Sequence, residues 1–351
     1  MEIYRKLLQL VDQQDALALL LVVGATGSTP QRVGAKALVD RSGSLLAGTI
    51  GGGLMESKAL ARAAQLLQHG RPELLEFSMD ESYSRDAGPI CGGAMRVFAA
   101  PCRADSGHAY ESATVAVEAR QKGLLVTTIS GQETGCTRWF SEDELGESDS
   151  RFDRERLGTI LKQGRPDIVV ASMGGDELFV EPVVAPPRML IVGAGHVGQA
   201  IAQQASWLGF DVTVLDDRTD FAQTERFPAG TNVLCGKIGE QVERFPKEED
   251  TYIVLVSKGH KPDAEALEAC IHSKSAYLGM IGSRRKVTLL RKHFLELGLA
   301  TEEEFGRVFA PIGLDIGAVT VEEIATSIMA QIVTVRRKGC DNKGINDMVL
   351  R

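Results

Sequence analysis

The sequence contains no apolar run long enough to cross a membrane. The longest, Ala16–Ala25, has about ten residues, whereas a transmembrane helix needs about 20. Three acidic residues, Glu2, Asp12 and Asp15, precede this run and no A-x-A site follows it, unlike the pattern of a secretory signal peptide. We therefore expect neither a membrane span nor a cleaved leader.

A long basic run is also absent. Lysine and arginine together number 39 and aspartate and glutamate 47, which gives a formal net charge of −8. An acidic balance of this kind argues against a nucleic-acid partner. The sequence also lacks a nucleophile elbow, a P-loop, an H-E-x-x-H motif and any internal repeat, which argues against the enzyme and repeat classes that those patterns mark.

No C-x-x-C pair occurs among the six cysteines, so the spacing typical of a zinc ribbon or a thioredoxin motif is missing. Six thiols in a chain of 351 residues without a leader are typical of a reducing compartment, and we expect a cytoplasmic protein. The cysteines are Cys91, Cys102, Cys136, Cys235, Cys270 and Cys340.

The composition is that of a globular protein, with 44% apolar and 25% charged residues. A chain of this length corresponds to about two domains of roughly 150 residues each. Ala185, Pro186 and Pro187 indicate a linker, because consecutive prolines interrupt regular elements. We therefore predict two domains, residues 1–185 and 188–351.

Short apolar strands alternate with helices along the C-terminal half. This alternation predicts an α/β domain with a Rossmann-like, doubly wound parallel sheet. The predicted strands are 189–192, 212–215, 233–235, 252–256 and 276–281, and the predicted helices are 197–208, 263–273, 283–297 and 321–337.

The N-terminal half mixes strands and helices without a regular βαβ repeat, which predicts an α+β or α/β domain. The segments 35–39 and 45–46 form a predicted hairpin around turn residues. The other predicted strands are 16–23, 74–79, 94–100, 124–129, 168–171 and 178–184, and the predicted helices are 1–14, 54–69 and 107–122.

Gly193, Gly195 and Gly198 form a G-x-G-x-x-G pattern between a predicted strand and a predicted helix. Such glycines allow a tight turn, the close approach of a diphosphate, and close packing of the helix on the strand. His196 lies at the start of that helix, and Asp216 ends the next strand, where an acid can bind a ribose hydroxyl. The pattern predicts a nucleotide-type site; the alternative is a βαβ turn whose glycines serve only packing.

Basic residues follow other predicted strands of the same sheet. Arg218 could favour a 2′-phosphate on a nucleotide. Gly282, Ser283 and Arg284 open a helix and could hold another phosphate, although a solvated helix face is the alternative. His260 is either a ligand contact or an exposed loop histidine.

The N-terminal half carries a second glycine-rich pattern. Gly51, Gly52 and Gly53 precede a predicted helix and can form an anion nest, with a simple tight turn as the alternative. Glu56 lies in the first turn of that helix and is either part of the site or a cap that complements the helix dipole. Cys91 is followed by two glycines in a predicted loop, where a thiolate can act as a nucleophile or soft metal ligand rather than an inert thiol.

Seven blocks in order along nearly the whole chain, 27–30, 48–56, 91–93, 193–198, 216–218, 279–286 and 310–316, resemble those of the XdhC/CoxI family. Members of this family are accessory proteins of xanthine dehydrogenase and related molybdenum hydroxylases. The blocks 48–56, 279–286 and 310–316 are far more specific than the Rossmann glycines. The resemblance implies an XdhC/CoxI-type N-terminal domain followed by a Rossmann domain.

The resemblance further implies a molybdenum cofactor chaperone that supports cofactor sulfuration and insertion into a xanthine dehydrogenase-type hydroxylase, with a cysteine desulfurase as a second partner. Cys91 would then contact the metal or carry sulfur. We expect a maturation factor without turnover of its own. The alternatives are an oxidoreductase that uses NAD(P) or another dinucleotide, and a structural partner with an empty Rossmann site. A homodimer is expected only as a general tendency.

Overall fold

The computed structural model describes residues 1–339 apart from 12–15, 28, 30, 79–92, 103, 147–152 and 172–173. The chain divides into two compact units, Met1–Ala185 and Pro186–Arg351, here termed unit 1 and unit 2. Within the described ranges, no helix is both long and apolar enough to cross a membrane.

Unit 1 contains two antiparallel sheets and several helices. The strands of the first sheet are β1 (Leu17–Gly27), β2 (Lys36–Asp40), β3 (Leu45–Gly48), β4 (Glu73–Ser78) and β5 (Gly93–Cys102). Those of the second are β6 (Gly123–Thr128), β7 (Thr137–Ser141), β8 (Asp167–Val170) and β9 (Glu177–Val183). Their orders are β3-β2-β1-β5-β4 and β7-β6-β9-β8. The helices are α1 (Glu2–Val11), α2 (Gly53–His69), α3 (Ala104–Glu118) and α4 (Arg154–Gln163).

Residues 17–23 of the central strand β1 are all apolar and buried, because both faces of this stretch are covered. Alternate residues such as Leu20 and Val22 pack with Ala63 and other residues of α2. The residues between them face the opposite way, where Leu19 packs with Tyr110 of α3. A strand buried on both faces lacks the polar–apolar alternation of a half-exposed strand.

A polar cluster joins α1 and the two sheets of unit 1. Glu181 of β9 accepts hydrogen bonds from the Tyr4 hydroxyl (2.9 Å) and from the Lys36 ammonium group (2.8 Å). Burial raises the pKa of Tyr4, and the charge of Glu181 raises it further. Because each buried polar group has a charged or hydrogen-bonding partner, the cluster is tolerated between apolar layers.

Unit 2 contains a parallel sheet with helices on both faces. Its strands are β10 (Arg188–Val192), β11 (Asp211–Asp216), β12 (Asn232–Cys235), β13 (Thr251–Leu255) and β14 (Tyr277–Met280), in the order β12-β11-β10-β13-β14. Its helices are α5 (His196–Trp207), α6 (Ile238–Arg244), α7 (His260–Glu268), α8 (Arg284–Glu296), α9 (Glu302–Gly306) and α10 (Val321–Lys338). Phe309 forms a parallel bridge with Gly279, so the segment after α9 passes alongside β14.

The two faces of this sheet carry separate apolar layers. Met189 and Ile191 of β10 pack on one face with α5 and α10, while Leu190 and Val192 pack on the other face with residues of α6, α7 and α8. This arrangement confirms the predicted fold class, a Rossmann-like doubly wound domain together with an α+β domain.

Several predicted boundaries differ from the structure. Helix α7 begins at His260 and ends at Glu268, whereas the predicted helix covered 263–273. Helix α3 begins three residues before the predicted start at residue 107. Strand β7 was not predicted at all, because it is short and contains Arg138 and Ser141 at positions where alternation gives no clear signal.

Candidate functional site

The parallel strands of unit 2 end together at one edge of the sheet, here termed the carboxyl edge. The strand order reverses between β10 and β13, since the chain passes outward through β11 and β12 on one side and through β14 on the other. In open α/β sheets, ligands bind in the crevice at such a switch point. The segments that leave this edge are 193–196 after β10, 216–218 after β11, 256–260 after β13 and 281–284 after β14.

The loop after β10 needs glycine for packing at two of its three motif positions. A Cβ at Gly193, where φ is +120°, would lie 2.6 Å from the carbonyl oxygen of Val256, and one at Gly198 would overlap the carbonyl oxygen of Gly193. Gly195 differs, because its φ of −71° suits any residue and no atom lies within 4 Å of its Cβ position. The space beside Gly195 and the start of α5 is therefore open, as a phosphate-binding loop requires.

Asp216 is held by the protein itself and is only 2% exposed. Its Oδ2 accepts hydrogen bonds from the Ala194 amide (2.7 Å) and from Arg218 Nη2 (2.9 Å), while Oδ1 accepts from the Arg218 amide (3.0 Å) and Nε (2.8 Å). Burial alone would raise the pKa of this carboxyl, but the hydrogen bonds from Arg218 and Ala194 outweigh it and lower the pKa. Asp216 thus ties the loops after β10 and β11 together.

Arg218 presents a partly exposed guanidinium beside the glycine loop. Its side chain is 39% exposed, and its Cζ lies 3.8 Å from the ring centroid of Phe221. The Cζ of Arg226 lies 4.8 Å from the same centroid. Gln199 of α5 donates to the carbonyl oxygen of Arg226 (3.2 Å), so the main chain at Arg226 is tied to the helix that follows the glycine loop.

Lys286 fixes the loops after β13 and β14. Its ammonium group contacts the carboxylate of Asp263 and the carbonyl oxygens of Gly259 (3.3 Å) and Ile281 (3.5 Å). Asp263 is fully buried and also accepts a hydrogen bond from the Ser257 hydroxyl. Because an ammonium group has three N–H donors, Lys286 has none left for a phosphate.

The remaining predicted residues at the carboxyl edge differ in what they can offer a ligand. His196 and Arg284 are the exposed first residues of α5 and α8. The Ser283 hydroxyl accepts a hydrogen bond from the Lys286 amide (3.3 Å) and thereby caps α8. Gly282 makes room for Lys286, since a Cβ there would lie 3.0 Å from its Cδ.

A buried polar network beside β14 was missed by sequence reasoning. Gln331 Oε1 accepts hydrogen bonds from the Tyr277 hydroxyl (2.6 Å) and the Gly313 amide (2.9 Å), and Gln331 Nε2 donates to the Gly313 carbonyl (3.2 Å). The Ser327 hydroxyl donates to the Leu314 carbonyl. The signal in the sequence was two polar residues, four apart, within the apolar stripe of α10.

In unit 1 the glycine-rich blocks meet at one end of the first sheet, here termed the glycine end. The register pairs Gly27 with Gly93 and Ser78 with Ala94, and β3 runs toward the same end before residues 49–53. Cys91 lies outside the described residues, and its predicted role stays a prediction.

The carboxylate of Glu56 is hydrogen-bonded to the glycine loop that precedes α2. Its Oε2 accepts hydrogen bonds from the Thr49 hydroxyl and from the amides of Ile50 (2.8 Å) and Gly52 (3.3 Å). Burial opposes ionisation, but these hydrogen bonds lower the pKa of Glu56. The nest predicted at Gly51–Gly53 therefore already holds a carboxylate, while the Cβ positions of Gly52 and Gly53 face open space.

The part of the chain that the structure describes contains no group of three or more histidine, cysteine, aspartate or glutamate residues able to hold a metal ion. The described cysteines differ in exposure and in the pKa of their thiols. Burial raises the pKa of the Cys102 and Cys270 thiols to about 12, whereas Cys235 is exposed.

Comparison with known families gives two matches. Residues 10–78 match the model described as the XdhC and CoxI family, and residues 189–332 match the XdhC Rossmann domain. The two matched segments lie in different units and include the glycine loop of the carboxyl edge and the loop that holds Glu56.

Three similar proteins come from Escherichia coli and Bacillus subtilis. An uncharacterized Escherichia coli protein, YqeB, is 30% identical over 96% of this chain, which spans only 46% of that relative. A Bacillus subtilis protein named as a probable component of xanthine dehydrogenase is 22% identical over 94% of this chain and 96% of its own length. The E. coli molybdenum cofactor insertion chaperone PaoD is 28% identical over 47% of this chain and 44% of its own length.

A solved structure shares the fold. The crystal structure of a Bacillus halodurans protein described as a xanthine dehydrogenase matches with a TM-score of 0.74, covering 95% of this chain and 96% of that chain at 20% identity.

Proposed function

The chain belongs to the XdhC and CoxI family, and from this premise we propose that it binds the molybdenum cofactor and delivers it to a xanthine dehydrogenase-type molybdenum hydroxylase. The names of two relatives, a molybdenum cofactor insertion chaperone and a probable xanthine dehydrogenase component, support this proposal. The single structural observation that carries it is the open helix start at Gly195 on the carboxyl edge.

The described residues fit a phosphorylated pterin. The amides at the start of α5 are suited to a phosphate, and no atom fills the space beside Gly195. Gly193 and Gly198 shape the loop, Asp216 holds it, and the exposed Arg284 adds a cation at the same edge. When bound, the cofactor supplies the molybdenum centre that the hydroxylase requires.

The glycine end of unit 1 is a further region that we propose for cofactor binding. The amides of Gly53 and the following residues begin α2, and the positions of Gly52 and Gly53 are open. We assign to Cys91 a soft thiolate contact with molybdenum or a sulfur-carrying role, because thiolates bind soft metals and act as nucleophiles. Glu56 keeps the glycine loop in shape through its hydrogen bonds to the Ile50 and Gly52 amides.

The remaining parts of the proposal concern partners and place. Cofactor sulfuration requires a sulfur donor, and a cysteine desulfurase is the proposed source. The target hydroxylase receives the cofactor, and the cytoplasm is the proposed location. A homodimer is a further proposal that rests on the general frequency of symmetric oligomers.

The test is a titration of the anaerobically purified protein with molybdenum cofactor, followed by gel filtration and assay of molybdenum and oxidised pterin. We expect stoichiometric co-elution that is reduced in Cys91→Ser and retained in the matched variant Cys136→Ser. Absence of co-elution together with saturable NAD(P)H binding and turnover would replace the chaperone with an NAD(P)-dependent oxidoreductase.

A further inference from the structure

We infer that the carboxyl edge of unit 2 recognises a phosphate monoester through Arg218 and does not recognise a ribose diol through Asp216. The inference goes beyond the Rossmann pattern, which assigns the acid at the end of the second strand to the ribose. Where the phosphate belongs to molybdopterin, the inference rests on the proposed function; where it belongs to another ligand, it stands alone.

The carboxylate of Asp216 has no acceptor capacity left for a ribose. A carboxylate offers about four lone-pair sites, and Asp216 accepts four hydrogen bonds from Ala194 and Arg218 at 2.7–3.0 Å. A ribose hydroxyl would have to displace a charge-assisted contact from Arg218 or release the Ala194 amide. Displacing either group would leave a buried charge or a buried amide without a partner, which is costly.

Unlike Asp216, Arg218 still has hydrogen-bonding groups that a ligand could use. A guanidinium has five N–H donors, of which Nε and one hydrogen of Nη2 are used by Asp216. The remaining donors belong to a side chain that is 39% exposed. Contact with the Phe221 ring and the two bonds to Asp216 hold the guanidinium in place, so a phosphate would meet a preorganised planar donor.

The neighbouring charges define the class of ligand. The charge of Asp216 is neutralised by Arg218. The neighbouring Asp217 is exposed and is also negatively charged. Its carboxylate could accept a ribose hydroxyl and would repel a phosphate. Arg226, beside the same Phe221 ring, adds a second positive charge. A phosphate monoester carries close to two negative charges and would be attracted by both arginines. The ribose diol of NAD carries no charge and would gain no such attraction.

Two sources share this chemistry: the phosphate of molybdopterin, which Arg218 would bind together with the amides at the start of α5, and the 2′-phosphate of NADP. The experiment uses the full chain, titrated separately with NADP⁺, NAD⁺ and molybdenum cofactor by calorimetry. The variants are Arg218→Gln, Arg218→Lys and Asp217→Asn, with Arg244→Gln as the matched exposed arginine at the far end of α6. Circular dichroism and thermal unfolding establish that each variant is folded.

We expect a ligand that carries a phosphate monoester to bind. If the ligand is a nucleotide, NADP⁺ should bind more tightly than NAD⁺. Loss of the Arg218 contact should weaken binding about ten- to a hundredfold, as for a hydrogen bond to a charged group. Arg218→Lys keeps a positive charge beside Asp216 and should recover part of this loss. Asp217→Asn should leave binding equal or tighter.

Three other outcomes would each contradict either the inference or the proposed function. NAD⁺ binding as tight as NADP⁺ binding, abolished by Asp217→Asn, overturns the inference and assigns the ribose to Asp217. Cofactor binding unchanged by Arg218→Gln overturns the inference and leaves the proposed function intact. NADP⁺ binding that depends on Arg218, without any binding of molybdenum cofactor, supports the inference and contradicts the proposed function.

Discussion

Lys286 and Asp263 form a buried ion pair between the starts of two helices, and the lysine also donates to carbonyl oxygens in the loops after β13 and β14. The pair lies at the carboxyl edge, yet its hydrogen bonds are directed within the protein. Its contribution is therefore to the shape of the edge, and it can be separated experimentally from ligand binding.

Replacing Lys286 with methionine should leave the buried Asp263 carboxylate without its cation. We expect a loss of about 3–5 kcal/mol in the free energy of unfolding, as found when one partner of a buried pair is removed. Urea denaturation followed by circular dichroism measures this change. Lys261→Met removes an exposed ion pair to Glu265 on the same helix as Asp263 and should change stability by less than about 0.5 kcal/mol. Equal effects of the two variants would show that the Lys286 pair has no special role.

Alanine substitutions at two motif glycines should have different effects on stability and on ligand binding. Gly198→Ala should destabilise unit 2 by about 1–3 kcal/mol through overpacking against the Gly193 carbonyl. Gly195→Ala should fold with a loss below about 1 kcal/mol, since its backbone suits alanine, while its methyl group enters the open space where the phosphate is proposed to bind. Thermal unfolding and cofactor co-elution measured on both variants check this. A Gly195→Ala protein that binds normally would place the phosphate elsewhere.

The stabilising contribution of Glu56 should decrease when the pH is lowered. Its pKa is lowered in the folded protein from the ordinary value of 4.5. Its contribution is therefore fully present above pH 4.5 and is lost as the pH falls through the lower, folded-state pKa. The stability difference between the wild type and Glu56→Gln should be constant from pH 7 to about pH 5 and shrink below pH 4.5. Denaturation at several pH values measures it, with Glu111→Gln, an exposed glutamate of α3, as the control. A difference that grows on acidification would contradict the assigned hydrogen bonds.

Thiol labelling should distinguish the described cysteines. Burial raises the pKa of Cys102 and Cys270 to about 12, so at pH 8 both thiols remain protonated, and Cys270 is also buried whereas Cys102 is half-buried. The exposed Cys235 should be alkylated first, as mass spectrometry of digested samples would report. Rapid labelling of Cys102 in the folded protein would show that its strand opens readily.

The sequence was sufficient for the sheet of unit 2 because its strands are buried on both faces and its helices have a clear period. It also located Gly193, Gly195 and Gly198, whose spacing follows from the turn itself. The partners of Asp216 and Lys286 could not be predicted, because Ala194 and Asp263 approach them only after the strands align. In unit 1, β7 was missed since a short antiparallel edge strand has little periodic signal.

The order of strands in unit 2 also affects how the chain reaches this structure. Arg188 of β10 pairs with Thr251 of β13, 63 residues further along, so the central pairing of the sheet is non-local and forms slowly. At a synthesis rate of about 5–20 residues per second, β10 leaves the ribosome roughly 3–13 s before its neighbour exists. During that interval the four apolar residues of β10, Met189–Val192, which are buried in the finished sheet, still lack their β13 partner, and this stretch of the nascent chain is prone to aggregation.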